Sequence, residues 1–322
     1  MNAIVVNEPG PAEVLKVQEV PVPEAAEGRA VVEVEAAGVN FIDVNQRSGA
    51  YPVKMPFTPG TEGAGVVRDI GPGVTEVSVG DRVAFATEPN AYAQFVSVRA
   101  ERLVPVPPAL SSERAAAVML QGMTAHYLVH SVCTFERGDW CLIHAAAGGV
   151  GLLFVQLAKR RGLQVIGTVS TPAKAERARA AGADHVVVNE HEDFVEAIAD
   201  LTDGKGVRAG YDGVGKATFE GTLRCVSQRG YVVLFGQASG PVEPIDPRTL
   251  QQRGSLFLTR PGLAHYTATR EELLRRGTEV LGLTESGELT DHIHATYPLD
   301  RAGEGHAAIE SRATSGKVVL LP

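Results

Sequence analysis

The residues best suited to chemistry lie in one short run, His144-Ala145-Ala146-Ala147-Gly148-Gly149-Val150-Gly151. A buried-strand pattern precedes this run and an amphipathic-helix pattern follows it. At such a junction the free N–H groups of the helix start, with the positive end of the helix dipole, can hold a diphosphate. Glycines let the backbone come close to that ligand and let helix pack on strand. The dinucleotide fingerprint has Gly at three places; here Ala146 stands at the first, and Gly148 and Gly151 hold the others. In its strand–helix setting the run predicts a dinucleotide site, the alternative being a tight turn with no ligand.

The end of the next strand separates the two nicotinamide dinucleotides. An NAD site places an acidic residue about 20 positions beyond the glycines, to accept from the ribose 2′-hydroxyl. The chain has Val169 there, followed by Ser170, Thr171, Lys174 and Arg177. A hydroxyl, a helix N-terminus and a cation one turn later suit a 2′-phosphate, which points to NADPH. The competing reading has Ser170 and Thr171 capping the helix and Lys174 solvated. Arg177 is read as a surface charge.

Positioning these residues requires strands and helices in alternation. Trp140–Ala145, Gln164–Thr168, His185–Val188, Gly206–Asp212, Tyr231–Phe235 and Ser255–Thr259 read as strands. Helices are expected over Val150–Arg161, from Thr171-Pro172 to Ala181-Gly182, and over Asp193–Leu201. This alternation predicts a doubly wound parallel sheet. The first third reads differently. Ala30–Ala36, Gly63–Ile70, Arg82–Ala86 and Ala93–Val98 are short strand candidates punctuated by Gly71-Pro72-Gly73 and Gly80-Asp81, which suggests a barrel-like β domain. A capped helix start is expected at Ser111. The tail, with a helix over Arg270–Leu283 and a strand over Lys317–Leu321, is expected to rejoin the β domain. The predicted organisation is therefore 1–121 with 268–322, and an inserted nucleotide domain at 122–267.

Composition narrows the classes. Of 322 residues, 44% are hydrophobic and 21% charged, the balance of a globular protein. The net charge of −8 argues against nucleic acid as a partner. No run approaches the roughly 20 apolar residues of a membrane span, and no targeting signal is evident at Met1–Val6. Three cysteines, Cys133, Cys141 and Cys225, have neither disulfide nor zinc spacing, and fit a reducing, cytoplasmic setting.

Gly38-Val39-Asn40-Phe41-Ile42-Asp43, Arg47-Ser48-Gly49, Pro59-Gly60-Thr61-Glu62, His144–Gly151 and Ser311-Arg312-Ala313-Thr314 together resemble the zinc-independent quinone oxidoreductases, the NADPH:quinone reductases and zeta-crystallin of the medium-chain dehydrogenase/reductase superfamily. The resemblance runs through essentially the whole chain in order. It implies an α/β protein with a GroES-like β-rich catalytic domain and an inserted Rossmann domain, NADPH as cofactor, and a homodimer. Zinc-dependent relatives carry a Cys where this chain has Asn40 and a His-Glu pair where it has Thr61-Glu62. An amide and a hydroxyl are poor substitutes for thiolate and imidazole, so no metal is expected.

The resemblance further implies that Asn40, Phe41, Ile42 and Asn45 lie beside the nicotinamide, that Tyr51 is a pocket tyrosine, and that Tyr127 touches the cofactor. It assigns Gly149 and Val150 to the diphosphate and Ser170 and Lys174 to the 2′-phosphate. Gly213, Phe235, Gly236 and Gln237 would line the ribose and nicotinamide, with Arg260 and Arg312 near the cofactor. One departure stands out: relatives have a Tyr after the residue matching Asn189, where this chain has Glu190 and His191.

Hydride transfer needs alignment and exclusion of water more than covalent help. Without zinc, neutral donors must stabilise charge on the carbonyl oxygen; Asn40 and Tyr51 are the candidates, and such donors favour electron-poor quinones over simple ketones. Asn40 as a strand-end amide and Tyr51 as an exposed loop aromatic are the alternatives. Asp43 is read as ordering its loop or pairing with Arg47 rather than acting as an acid, and His126 and His144 as structural. The expected activity is NADPH-dependent quinone reduction. Reduction of an enone, alkenal or enoyl thioester, and a non-catalytic NADPH-binding or crystallin-like role, are the alternatives.

Overall fold

The computed structural model describes residues 1–322 and divides into two compact units, Met1–Met123 with Tyr266–Pro322, and Thr124–His265.

The first unit is built on a seven-stranded sheet in the order Ile293–Pro298, Lys317–Leu321, Arg29–Val39, Glu62–Ile70, Arg82–Ala86 and Val104–Pro105, with Phe95–Arg99 also pairing along Arg29–Val39. Arg29–Val39 is its spine. Its Val- and Ala-rich sequence suits a pleated surface with neighbours on both sides, and its register shifts opposite Glu62–Ile70, so the strand bends. Val32, Val34, Val39, Phe85, Tyr92, Val96, Val318 and Leu320 close the core. The order of the sheet matters chemically. Lys317–Leu321 and Glu62–Ile70 flank Arg29–Val39, with Val318 opposite Val39 and Gly63 opposite Ala37. Residues distant in sequence, at 38–40, 62 and 317, are thereby brought to one end of three adjacent strands.

The tail holds two elements that periodicity did not indicate, the strand Ile293–Pro298 and the helix Ala302–Glu310. A third is the helix Phe41–Arg47, whose seven residues are too few to establish a helical period.

The second unit is a six-stranded parallel sheet in the order His185–Val188, Gln164–Val169, Trp140–His144, Val207–Asp212, Val226–Leu234 and Phe257–Thr259. The helices Gly149–Arg160, Pro172–Ala180, Phe194–Leu201, Phe219–Cys225 and Pro247–Gln252 connect successive strands. Three of these helix starts are chemically legible: Thr171 accepts from Lys174 N–H with Pro172 at the first position, and Asp193 and Asp246 cap the starts of Phe194–Leu201 and Pro247–Gln252 alike. Strand order reverses direction between Trp140–His144 and Val207–Asp212, the switch point at which open α/β sheets take ligands. Register aligns the carboxyl ends there, His144 beside Thr168 and Asp212 beside Leu234.

Candidate active site

In the nucleotide unit, the strand Trp140–His144 runs into a tight turn. Ala145 takes a left-handed φ of 54°, and Gly148 caps the helix Gly149–Arg160. Ala146 N–H bonds back to Thr168 O at 3.0 Å and Gly148 N–H to Ala145 O at 2.8 Å, which closes the turn. The first-turn N–H groups of Gly149 and Val150 have no acceptor within the helix and remain for a ligand. Gly151 is required by contact: a methyl there would collide with Ala145 O and stand 2.7 Å from Ala146 Cα. The alanine at the first fingerprint position also has an account. Gly167 on the neighbouring strand leaves room for the Ala146 methyl, since a Cβ at Gly167 would lie 2.6 Å from it.

Ser170 is exposed, Thr171 half-buried and Lys174 half-buried at the start of Pro172–Ala180. Burial pushes the Lys174 ammonium below the usual lysine range, so an anion beside it would recover solvation that the fold removes. Arg177, Glu190 and His191 are exposed. Gly213, Phe235, Gly236 and Gln237 gather at the strand ends: Phe235 N–H donates to Asp212 O at 2.9 Å, and Arg260 donates to Gln237 Oε1 at 2.9 Å. Tyr127 is only 2% exposed, which leaves little surface for a ligand.

Sequence reasoning missed what holds these loops. Asp212 is fully buried and accepts from Val214 N–H, Gly215 N–H and the Thr218 hydroxyl, each at 2.8 Å. Thr222 joins it at 3.0 Å and meets His144 Nε2, also at 3.0 Å, while His144 Nδ1 meets the Thr168 hydroxyl at 2.8 Å. His144 thus has partners on both ring nitrogens; burial lowers its pKa and keeps it neutral. The signal available was Thr218 and Thr222, four apart on one helix face just after Asp212.

The first unit holds the second cluster. Asn40 ends the long strand and caps Phe41–Arg47, with Asp43 reaching back to accept from Asn40 N–H at 2.8 Å. Lys317 can only donate, so the Asn40 amide oxygen must face it, at 2.8 Å. The Asn40 amide hydrogens then go to Glu62 Oε1 at 2.8 Å and Gly38 O at 3.3 Å. Lys317 also pairs with Glu62 Oε1, and Leu120 N–H holds Glu62 Oε2 at 2.7 Å. Asn40 is 5% exposed, Lys317 2% and Glu62 0%. The Asn40 side chain, expected as an oxyanion donor, is therefore fully engaged within the fold. Ile42 is exposed, Phe41 and Asn45 are half-buried, and Arg312 is exposed with a φ of 57°. Tyr51 is half-buried with its backbone N–H tied to Asn45 O at 2.9 Å, and its hydroxyl has no partner in the chain.

Asp43 does order its loop, but it does not pair with Arg47. Arg47 forms a two-pronged bond with Glu310 at 3.0 and 2.6 Å. Asp43 meets the Thr61 hydroxyl at 3.2 Å and the Tyr92 hydroxyl at 3.1 Å; Tyr92 in turn meets His306 Nε2 at 3.2 Å. Burial raises the Asp43 carboxyl to about 7 against the hydrogen bonds and the Lys317 charge that favour ionisation. Burial likewise drives His306 down to about 3, with Arg47 adding to the effect. The cysteines offer no chemistry: all three are free and buried, and burial raises Cys133 to about 11, Cys225 to about 12 and Cys141 further.

A family described as an alcohol dehydrogenase GroES-like domain matches residues 26–131, and one described as a zinc-binding dehydrogenase matches residues 149–274. A quinone oxidoreductase of Pseudomonas aeruginosa is 44% identical over 315 residues, 97% of either chain. A 2-haloacrylate reductase from a Burkholderia species is 41% identical over 313 residues, 95% of this chain and 94% of its own. The crystal structure of Escherichia coli quinone oxidoreductase complexed with NADPH superposes with a TM-score of 0.97 at 41% identity, covering all of both chains.

Proposed function

Because the chain belongs to the quinone oxidoreductase family of the medium-chain dehydrogenases/reductases, we propose that it reduces a quinone with NADPH and without zinc. The observation that carries the reading is the Ala145–Gly151 turn, held tight because Gly151 packs directly on the Ala145 and Ala146 backbone, which leaves two helix N–H groups for a diphosphate. Gly149 and Val150 would hold that diphosphate, and Ser170, Thr171 and Lys174 the 2′-phosphate. When bound, the reduced nicotinamide supplies the hydride. The chain's own part is to fix the cofactor and neutralise charge on the acceptor oxygen. Tyr51, with its free hydroxyl, is the better donor for that oxygen, and Asn40 acts by setting the start of Phe41–Arg47, which carries Phe41, Ile42 and Asn45.

A zinc ion does not fit the residues at Asn40 and Thr61. Asn40 has all its amide donors and its oxygen engaged, Thr61 gives its hydrogen to Asp43, and the Lys317 ammonium already sits among Asn40 and Glu62. A second cation there would lie beside the first, with Glu62 already paired and with neither the thiolate nor the imidazole that a zinc site uses.

Titration of NADPH and of NADH by nicotinamide fluorescence, followed by acceptor reduction, tests the reading. Tighter NADPH and rapid reduction of 1,4-benzoquinone are expected; a chain that binds NADPH and reduces no acceptor would be a binding protein instead. The similarity to 2-haloacrylate reductase supports a second reading, reduction of an activated carbon–carbon double bond. Comparing 1,4-benzoquinone with a 2-alkenal separates the two.

A homodimer fits the edge strand Phe257–Thr259, where Phe257 is 54% exposed and stacks on Tyr231. No helix is long and apolar enough to cross a membrane. Free, buried cysteines suit the reducing cytoplasm.

A further inference from the structure

Asp43 is enclosed without being locked into an ion pair. Its carboxyl is fully buried and touched by Asn40 N–H, the Tyr92 hydroxyl and the Thr61 hydroxyl. The cations near it are engaged elsewhere, Lys317 with Glu62 and Asn40, Arg47 with Glu310. His306 closes the far side of Tyr92, and its Nδ1 has no partner. Asp43, Tyr92, His306, Glu62 and Lys317 are all buried; Thr61 alone is partly exposed.

We propose that Asp43 stores a proton and passes it through the Thr61 hydroxyl to the oxygen of the quinone being reduced. This rests on the quinone reductase reading. Reduction of a quinone to its hydroquinone takes up one hydride, which brings both electrons, and one proton. The nicotinamide supplies the hydride. The quinone oxygen gains its O–H from Thr61 Oγ1 as Thr61 takes the Asp43 hydrogen, and Asp43 is left a carboxylate. Solvent reprotonates it by the same hydroxyl in reverse. A threonine hydroxyl can do this because it donates and accepts at one atom.

The framework keeps the relay short and fixed. The segment before Thr61 is pinned to Tyr92, with Tyr92 N–H on Pro59 O at 3.0 Å and Ala91 N–H on Gly60 O at 3.1 Å. The groups facing Asp43 set its proton affinity. From its own helix come Asn40 N–H and Arg47; from the Thr61-Glu62 segment, Thr61 and Glu62; from the last strand, Lys317. Tyr92 faces it from the loop before Phe95–Arg99, and His306 from Ala302–Glu310, neutral because burial drives it to about 3. Lys317 favours the carboxylate and Glu62 opposes it, while burial outweighs both and holds the carboxyl near 7, so both forms are populated at neutral pH.

The test uses the full chain with NADPH and the variants Thr61→Val, Thr61→Ser and Asp43→Asn. Infrared difference spectra over about pH 5 to 9 should show a protonated-carboxyl band that titrates in the wild type and is missing from D43N. With 1,4-benzoquinone, T61V should lose about tenfold or more in kcat with KM within about twofold, T61S should recover it, and the fall of wild-type kcat above neutral pH should vanish in T61V. A merely structural Thr61 would not move the pH profile. Unchanged kcat and pH profile in T61V would overturn the relay alone, as would the lack of a titrating carboxyl band. Binding of NADPH without turnover of any acceptor would overturn the quinone reductase reading and the relay with it.

Discussion

Lys317→Met isolates the charge arrangement on which the first unit is built. Lys317 is 2% exposed and Glu62 fully buried, so neither charge is offset by water. Removing the ammonium strands the Glu62 carboxylate with only the Asn40 amide at 2.8 Å and Leu120 N–H at 2.7 Å. Breaking one side of a buried pair costs about 3–5 kcal/mol, because the remaining charge stays desolvated. With a urea slope of about 2 kcal/mol per molar, the midpoint should fall by about 1.5–2.5 M. The single tryptophan, Trp140, lies in the nucleotide unit, so its fluorescence follows that unit and far-ultraviolet circular dichroism must follow the β-rich one. The double variant K317M/E62Q should recover about 2 kcal/mol or more, since it removes both charges and Asn40 is then free to turn over and match the new amide. A K317M loss below about 1 kcal/mol, or a double variant no more stable than K317M, would refute the argument that this pair is a mutually dependent buried unit.

The pH dependence of stability should carry the marks of Asp43 and His306. The folded chain keeps a proton on Asp43 up to about 7 while the unfolded carboxyl, at 3.8, has lost it, so wild type should lose stability relative to D43N by about 1.4 kcal/mol per unit as pH rises from 4 to 7. His306 runs the other way: neutral in the fold to about 3 but protonating below 6.5 when unfolded, it should cost wild type stability relative to H306Q as pH falls through that window; urea midpoints across pH check both. Gly151→Ala should weaken NADPH binding by about tenfold to a hundredfold, because the methyl must displace the Ala145 carbonyl at a strain of about 1–3 kcal/mol, and fluorescence titration reads it directly. Lys174→Ala should raise the Kd for NADPH about tenfold while NADH changes by less than about threefold; equal losses would remove Lys174 from the 2′-phosphate site.

The parts of the fold that were legible in the sequence share one property, that their cause is local. Arg82–Ala86 and His185–Val188 fall where alternation and apolar runs place them, and Thr171-Pro172 starts its helix through chemistry confined to four residues. Ser255–Thr259 shows the limit of that logic: Ser255 takes a φ of 57° and the strand begins only at Phe257. What stayed illegible was set at long range. Lys317 opens a run of Val and Leu and reads as the polar margin of a strand, yet it is buried because sheet order places Glu62 and Asn40 beside it from 255 and 277 positions away. Asp43 offered a plausible partner four residues on in Arg47, but Arg47 is claimed by Glu310, 263 positions later. His144 gave no hint of a partner because both its hydroxyls come from other elements.

Burial of Lys317 also bears on the choice of acceptor. A fixed cation beside an acceptor oxygen would stabilise the charge that builds there, but this ammonium is spent on Glu62 and Asn40, and the arrangement leaves no room to release it: a methyl at Gly38 would collide with the Glu62 carboxylate and stand 2.6 Å from Lys317 Cε. On the reading proposed above, the groups left for the acceptor oxygen are neutral, the Tyr51 and Thr61 hydroxyls, whose stabilisation of a developing anion is weaker than that of a charge. A simple ketone reduced by hydride yields a localised alkoxide and would need more. A quinone spreads the same charge over its ring and second oxygen, so neutral donors suffice, and the buried ion pair becomes a reason for the preference rather than a structural detail beside it.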